Sequence, residues 1–295
     1  MSHHMSLARG RTLEFTGVPL VMGVLNCTPD SFFSSSRVTE HEDAVQTAAD
    51  MIEAGAAILD IGGESTRPGS RPVHADEEHS RVVPVIEAIR RFSDIPISID
   101  TRKASVAAAA IDAGADIVND VSALRADEEM LPLVAEREVG VVLMHMLGTP
   151  ETMQKNPSYS DVVREILHFL ITRANEVSSA GVSRERIIID PGIGFGKRLE
   201  DNLRLIHDLS AFLAPGFPVL VGASRKSVVG NVLSQARGEE VPVSDRLAGT
   251  LAVHIMAAMK GADIIRVHDV QETFDAVHMI AAVNGAGIRE AKGES

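Results

Sequence analysis

At 295 residues, 45% of them apolar and 23% charged, the chain has the length of one large domain and ample material for a core. A formal net charge of −13 disfavours nucleic acid and anionic membranes, which need a broad basic face, and leaves any anionic ligand to a local cluster of positive groups. The single cysteine, Cys27, excludes an internal disulfide framework, and no signal-type opening or run of 18 apolar residues occurs, so the expected location is cytoplasmic.

Residues 1–10 (MSHHMSLARG) read as a disordered leader or an expression remnant, outside the fold; His3 and His4 alone are too few ligands for a metal. The first strand-like run, 20–25, leads into Asn26-Cys27-Thr28-Pro29-Asp30-Ser31-Phe32. An asparagine at a strand end offers Mg²⁺ a hard carbonyl oxygen. The serine-rich stretch that follows, with Phe32 and Phe33, has the composition of a lid, although Thr-Pro-Asp also suits a plain turn. Cys27 has no partner that would make it a nucleophile and reads as packing. The second run, 57–61, carries Asp60 and leads into Gly62-Gly63-Glu64-Ser65-Thr66-Arg67-Pro68-Gly69. Paired glycines admit a ligand close to the backbone, and Arg67 can hold an anion with its fork of donors; the same residue types also build ordinary surface loops. His74 and His79 flank an acidic run that reads as a charged helix start rather than a metal site.

The next three runs, 95–100, 116–119 and 140–145, end in Asp100, Asn119 and His145; the last, between Met144 and Met146, reads as a packed wall residue. Run 187–190 ends in Asp190, ahead of Pro191-Gly192-Ile193-Gly194-Phe195-Gly196-Lys197. That spacing is neither G-x-x-x-x-G-K-S/T nor G-x-G-x-x-G, so it is no nucleotide loop but a glycine-rich turn presenting Asp190 and Phe195 to a flat ligand. Run 219–222 precedes Gly222-Ala223-Ser224-Arg225-Lys226-Ser227, where a helix is expected to open at Ser224. Free N–H groups, a hydroxyl and a lysine there make an anion site, and a plain Ser cap is the other reading. The last run, 263–267, is followed by His268, and alternation puts Arg266 and His268 on one side of the chain, within reach of one anion.

Amphipathic segments separate these runs. Val82, Ile86 and Ile89 share a helix face, as do Val163, Ile166, Leu167 and Leu170, and Val270, Phe274, Val277 and Ala281. Several end in Ala-Gly-Ala or Gly-Ala, with Gly55, Gly114 and Gly261 at the C-terminal cap. Eight nearly continuous apolar strands alternating with helices predict a closed (β/α)₈ TIM barrel over residues 11–286 as a single domain, with 287–295 a disordered tail; an open doubly wound sheet is the alternative. Polar groups ending strand after strand (Asn26, Asp60, Asp100, Asn119, His145, Asp190, Arg266, His268) would then converge on one mouth.

In that order and at those strand ends, VMGVLNCTPDSF, LDIGGESTRPG, SIDT, DIVNDVS, MHM, DPGIGFGK, VGASRK and RVHDV resemble the dihydropteroate synthase family, from about residue 20 to 284. The resemblance implies a barrel, usually a homodimer, that condenses 6-hydroxymethyl-7,8-dihydropterin pyrophosphate with p-aminobenzoate and releases pyrophosphate. By similarity Asp100, Asn119, Met144, Asp190, Phe195, Gly222 and Lys226 surround the pterin. Asn26, Arg67, Arg266 and His268 would take the pyrophosphate, with Asn26 the protein's ligand to Mg²⁺. Phe32, Phe33, Thr66, Arg67, Pro68 and Ser224 would hold the aminobenzoate, for which sulfonamides should compete. Asp100, Lys226, Arg67, Arg266 and His268 are the groups expected to carry the chemistry. Two other readings remain: a methyltetrahydrofolate–corrinoid methyltransferase, which has no pyrophosphate to bind, and a non-catalytic pterin-binding paralogue.

Overall fold

Each segment takes up the structure its period implies. The computed structural model describes residues 3–28, 37–65, 70 and 72–293, with backbone alone at 3, 37–40 and 286–293. After β1 (His3–Ser6) and β2 (Thr12–Phe15) come eight strands: β3 (Leu20–Asn26), β4 (Ile58–Gly62), β5 (Ile97–Asp100), β6 (Ile117–Asp120), β7 (Gly140–Met144), β8 (Ile187–Asp190), β9 (Leu220–Val221) and β10 (Ile264–Val267). The helices between them are α1 (Arg37–Glu53), α2 (Ala75–Arg90), α3 (Ala104–Ala113), α4 (Met130–Glu136), α5 (Val162–Ser179) and α6 (Leu199–His207). Two more, α7 (Ser227–Arg237) and α8 (Leu247–Met259), separate β9 from β10, and α9 (Val270–Gly293) follows.

The strands from β3 to β10 are parallel and lie side by side in the order β8-β7-β6-β5-β4-β3-β10-β9. A parallel bridge between Ile189 and Val219, with the Ile189 N–H donating to Pro218 O at 3.0 Å, joins the two outer members and closes the ring. The fold is therefore the (β/α)₈ barrel expected, and the open sheet is excluded. Outward-facing side chains such as Leu25, Ile61, Ile99 and Val118 pack on the helices in the main apolar core. Gly55, Gly114 and Gly261 have φ of +96°, +128° and +90°, the conformation a helix-ending glycine was expected to supply. Among the described residues no helix is long and apolar enough to cross a membrane.

The opening segment departs from expectation. Residues 3–10, read from sequence as lying outside the fold, supply β1 and the turn into β2, an antiparallel hairpin pairing His3 with Phe15 and Ser6 with Thr12. Its buried Met5, Leu7, Leu13 and Phe15 cover the lower interior layer formed by Met22, Ile58, Ile117, Val142, Ile188, Leu220 and Ile264. Seven aliphatic ends pointing down a barrel leave apolar area that water would otherwise meet, and the hairpin removes it. Charge fixes it there as well: Arg11 donates to Asp116 at 3.0 Å, and Arg90 reaches the same fully buried carboxylate at 2.7 Å. At the other terminus, α9 continues through Gly293, so the expected tail from 287 is helical for most of its length.

Candidate active site

Side chains alternate along a strand, so stepping two residues up from the lower interior layer reaches the next inward position. Ile58 leads to Asp60, Ile117 to Asn119, Val142 to Met144, Ile188 to Asp190, Leu220 to Gly222 and Ile264 to Arg266. On β5 the outward Ile97 and Ile99 leave Ser98 and Asp100 facing in. The interior thus changes from aliphatic to charged within one layer, and above it opens a cavity of about 480 Å³ at the C-terminal ends of the strands. Asn26, Asp100, Phe195, Lys226, Arg266 and His268 line it, with Ser224, Ser227, Arg246, Glu64 and Met153 among the remaining walls.

Its floor is one charged network. Arg266 donates from Nε to Asp60 Oδ2 at 2.5 Å and from a terminal nitrogen to Asp100 Oδ2 at 2.8 Å. Asn119 Nδ2 donates to the same Asp60 oxygen at 3.1 Å. The structure puts Arg266 among the carboxylates because it is inward-facing on β10, beside β3 and one strand from β4. Burial works against the guanidinium's charge, but Asp60 and Asp100 outweigh it and push its pKa up. Burial raises the Asp100 carboxyl to about 7; Arg266 pulls it down, and the nearby Asp60 charge adds to the rise. Asp100 therefore changes charge near neutrality, an unusual property for an aspartate and a useful one in a site.

Lys226 lies opposite. Its ammonium donates to Ile193 O at 2.7 Å and sits 4.4 Å from the centroid of the Phe195 ring, a cation–π contact. Burial lowers its pKa to about 8, resisted by Asp190. Asp190 is itself raised by burial while accepting from the Gly192 N–H at 2.6 Å. A Cβ on Gly222 would stand 3.8 Å from Lys226 Nζ and 3.7 Å from Arg266 Cβ, so this inward glycine keeps the two cations side by side. Met144, Met146, Met153 and Val121 form an apolar cluster with Phe195 against it. Asp100, Asn119, Met144, Asp190, Phe195, Gly222 and Lys226 thus lie at neighbouring strand ends, and of them Asp100, Phe195 and Lys226 line the cavity itself.

Asn26 ends β3 on the cavity wall, and its side-chain amide has no hydrogen-bond partner among the described residues. His268 is held from behind, its backbone N–H donating to Ser224 Oγ at 3.2 Å and its Nδ1 lying 3.0 Å from the same hydroxyl. Ser224 was expected at the opening of a helix. It is instead buried under His268, and α7 begins three residues later at Ser227, after a turn in which Arg225 takes φ of +56°. The free N–H groups of that helix belong to the end at Ser227, and Arg246 stands beside it, tied to the carbonyls of Val241 and Arg225. Arg225 forms a two-pronged pair with Asp269.

Phe32, Phe33, Thr66, Arg67 and Pro68 lie outside the described residues. The root of the second loop is described: buried Glu64 accepts from Arg102 at 3.0 Å and from Lys103, which also reaches Glu78 at 2.5 Å. Sequence reasoning passed over Ser227, Arg246, Glu64 and Met153, and gave Asp60 no role. Ser227 closes the Ser-Arg-Lys-Ser stretch already singled out, whereas Arg246 carries no local signal at all. Cys27 is buried with its thiol pushed up to about 12, in keeping with packing. His145 is neutral, lowered to about 3 by burial and by Lys197, and packs edge-on against Phe169, as a wall residue should. No group of three or more His, Cys, Asp or Glu among the described residues could hold a metal.

Comparison with known proteins agrees with this geometry. The model of the pterin binding enzyme family matches residues 22–268. Dihydropteroate synthase of Escherichia coli K12 is 44% identical over 279 residues, 95% of this chain and 96% of that protein. Two solved structures superpose on nearly the whole chain. Xanthomonas albilineans dihydropteroate synthase with 4-aminobenzoic acid has a TM-score of 0.88 at 43% identity, covering 96% of this chain and 99% of that one. The Yersinia pestis dihydropteroate synthase in a sulfonamide drug complex has a TM-score of 0.89 at 42% identity, covering 96% and 100%. A barrel matched by this family model over residues 22–268 and by these relatives over nearly its whole length belongs to the dihydropteroate synthase family of pterin-binding enzymes.

Proposed function

We propose that this protein joins 6-hydroxymethyl-7,8-dihydropterin pyrophosphate to p-aminobenzoate, giving 7,8-dihydropteroate and pyrophosphate. The observation that carries the reading is the pairing, in one cavity, of a carboxylate and amide floor with cations on the opposite wall. Asp100, Asn119 and Asp190 suit the N–H edge of a pterin, and Lys226 can meet its acceptor atoms. Arg266 and His268 face the position of the leaving diphosphate, and the α7 N-terminus at Ser227, with Arg246, suits a carboxylate. This last placement replaces Ser224. From sequence, Arg67 would add to the diphosphate side, and Phe32, Phe33, Thr66 and Pro68 to the amine side.

An aromatic amine is neutral at pH 7 and needs no strong base to attack. The demanding event is departure of pyrophosphate, and Arg266 and His268 stabilise charge growing on its oxygens. As the C–O bond breaks, positive charge spreads from the methylene into the pterin, where the Asp100 carboxylate offsets it; the amine nitrogen then forms the C–N bond and loses a proton. Asn26 fits Mg²⁺ as a hard amide oxygen without a competing partner, and with one neutral protein ligand the ion would be held mainly by the diphosphate, whose charge it would neutralise. Exposed Met256 and Met259 on α8 and Met279 and Val283 on α9 form an apolar face that supports a homodimer, which sedimentation would test. The reading also places the protein in the cytoplasm and makes sulfonamides competitors of p-aminobenzoate.

The first experiment is pyrophosphate release from dihydropterin pyrophosphate, with and without p-aminobenzoate and Mg²⁺. Release that requires the amine for dihydropteroate formation supports the reading. Tight pterin binding without turnover would move it to a methyltransferase or a non-catalytic pterin protein. Positional isotope exchange in bound pterin pyrophosphate without the amine is expected for the dissociative route; its absence counts against that route.

A further inference from the structure

The turn after β8 is short of side chains yet tied at every carbonyl from Gly192 to Gly196. Lys197 Nζ donates to Gly192 O at 2.8 Å and Phe195 O at 2.9 Å, and Lys226 donates to Ile193 O at 2.7 Å. Gln154 Nε2 reaches Gly194 O at 2.9 Å, and the Tyr159 hydroxyl reaches Gly196 O at 2.7 Å. Donors are engaged too: the Gly192 N–H bonds Asp190, and the Gly194 N–H bonds Asn202 Oδ1 at 2.6 Å. Lys197 is the hub. Almost fully buried, it also reaches His145 O at 3.2 Å and lies 3.1 Å from His145 Nδ1, so it fastens the turn to the end of β7. Its head group has three hydrogens and four acceptors, and no carboxylate pairs with it among the described residues. Burial lowers its pKa to about 7, resisted by Asp190, and the carbonyls it holds are what offset the cost of burying it.

We propose that Lys197 is a positioning residue for the pterin reaction: by clamping the 192–195 turn to β7 it sets the Phe195 ring and the Ile193 carbonyl, and through them the ammonium of Lys226. Two lysines thus grip one turn from opposite sides. Lys197 fixes it from within the protein, and Lys226 uses the fixed turn as a support from which to face the cavity. No hydrogen bond joins Ser227 or Arg246 to this turn among the described residues, so the influence of Lys197 falls first on the pterin.

The proposal rests on the pterin reading above, and two measurements keep their failures apart. In Lys197→Met, which keeps length and loses the donors, KM for dihydropterin pyrophosphate should rise roughly ten- to hundredfold, with KM for p-aminobenzoate unchanged. Lys197→Gln, which keeps two N–H groups, should recover part of the loss. Hydrogen exchange on the unmodified protein should show the 192–196 amides protected like those of β7 and β8. A folded Lys197→Met enzyme with pterin KM within about twofold of the parent, or equal losses for both substrates, overturns the proposal. So does exchange of those amides at the rate of an unstructured peptide, whether or not any variant folds. Failure of the unmodified protein to release pyrophosphate would instead sink the reaction assigned, leaving the clamp to be judged by exchange alone.

Discussion

Removing the Asp60 carboxylate tests the floor of the site most directly. Asp60 is fully buried, and one of its oxygens receives both Arg266 Nε at 2.5 Å and Asn119 Nδ2 at 3.1 Å. Asp60→Ala leaves two buried donors without their acceptor. Breaking a buried charge pair from one side costs about 3–5 kcal/mol, and because Arg266 keeps Asp100 at 2.8 Å the lower end applies. For a chain of this size ~3 kcal/mol corresponds to a melting temperature lower by roughly 5 °C. Asp60→Asn keeps an oxygen acceptor for both donors and should lose only about 1 kcal/mol. Activity should fall further than stability, since Arg266 loses the contact that aims it: kcat/KM down roughly a hundredfold in Asp60→Ala. Scanning calorimetry and steady-state pyrophosphate release on the three proteins suffice. Melting of Asp60→Ala within 2 °C of the parent (about 1 kcal/mol by the same conversion) would refute the network as the anchor of Arg266.

Three further outcomes are expected. In pH profiles of kcat/KM for the pterin substrate, Asp100, raised to about 7, loses its carboxylate below that pH, and Lys226, lowered to about 8, loses its ammonium above it. The profile is therefore a bell between them: Lys226→Met should abolish the alkaline limb, and Asp60→Asn should move the acid limb to lower pH by removing a neighbouring negative charge. Gly192→Ala places a Cβ 2.0 Å from His145 O at φ +68°, and urea unfolding should show a loss above about 3 kcal/mol or no folded protein. Deleting residues 1–10 exposes the sites of Met5 and Leu7 and should cost about 3–6 kcal/mol in the same assay, while KM values stay unchanged because the hairpin caps the opposite end of the barrel.

Much of the site is legible in the sequence because a (β/α)₈ chain writes its active residues at strand ends. Asp100, Asn119, Asp190 and Arg266 follow from local apolar runs that stop on a polar residue, and no long-range information is needed to place them at one mouth. What joins them is long-range. Asp60 and Arg266 are 206 positions apart, and their contact exists only because barrel closure seats β10 near β4 through β3. Ser224 failed for a local reason: the helix was expected at the first serine of Ser-Arg-Lys-Ser, but the left-handed Arg225 delays it by nearly one turn. The hairpin leaves little trace in the sequence because two four-residue strands, with Met5 buried in one and Leu13 and Phe15 in the other, carry too little period-two signal beside a glycine and several charges.

The charge balance of the site then answers the difficulty posed by an acidic chain. A protein of net charge −13 can bind anionic substrates only through local cations. Arg225 is spent on Asp269, whereas Arg266 is aimed by Asp60 and Asp100 through its Nε and one terminal nitrogen. Lys226 and Arg246 are not spent: among the described residues each is satisfied by backbone carbonyls, which use its hydrogens without cancelling its charge. The cavity wall thus carries cations that no direct ion pair cancels, above a floor whose Arg266 is matched by carboxylates. An anionic ligand is drawn to the wall, while the floor offers acceptors to N–H groups. Surface carboxylates beyond the screening length of about 8 Å at physiological salt weigh little against these local groups.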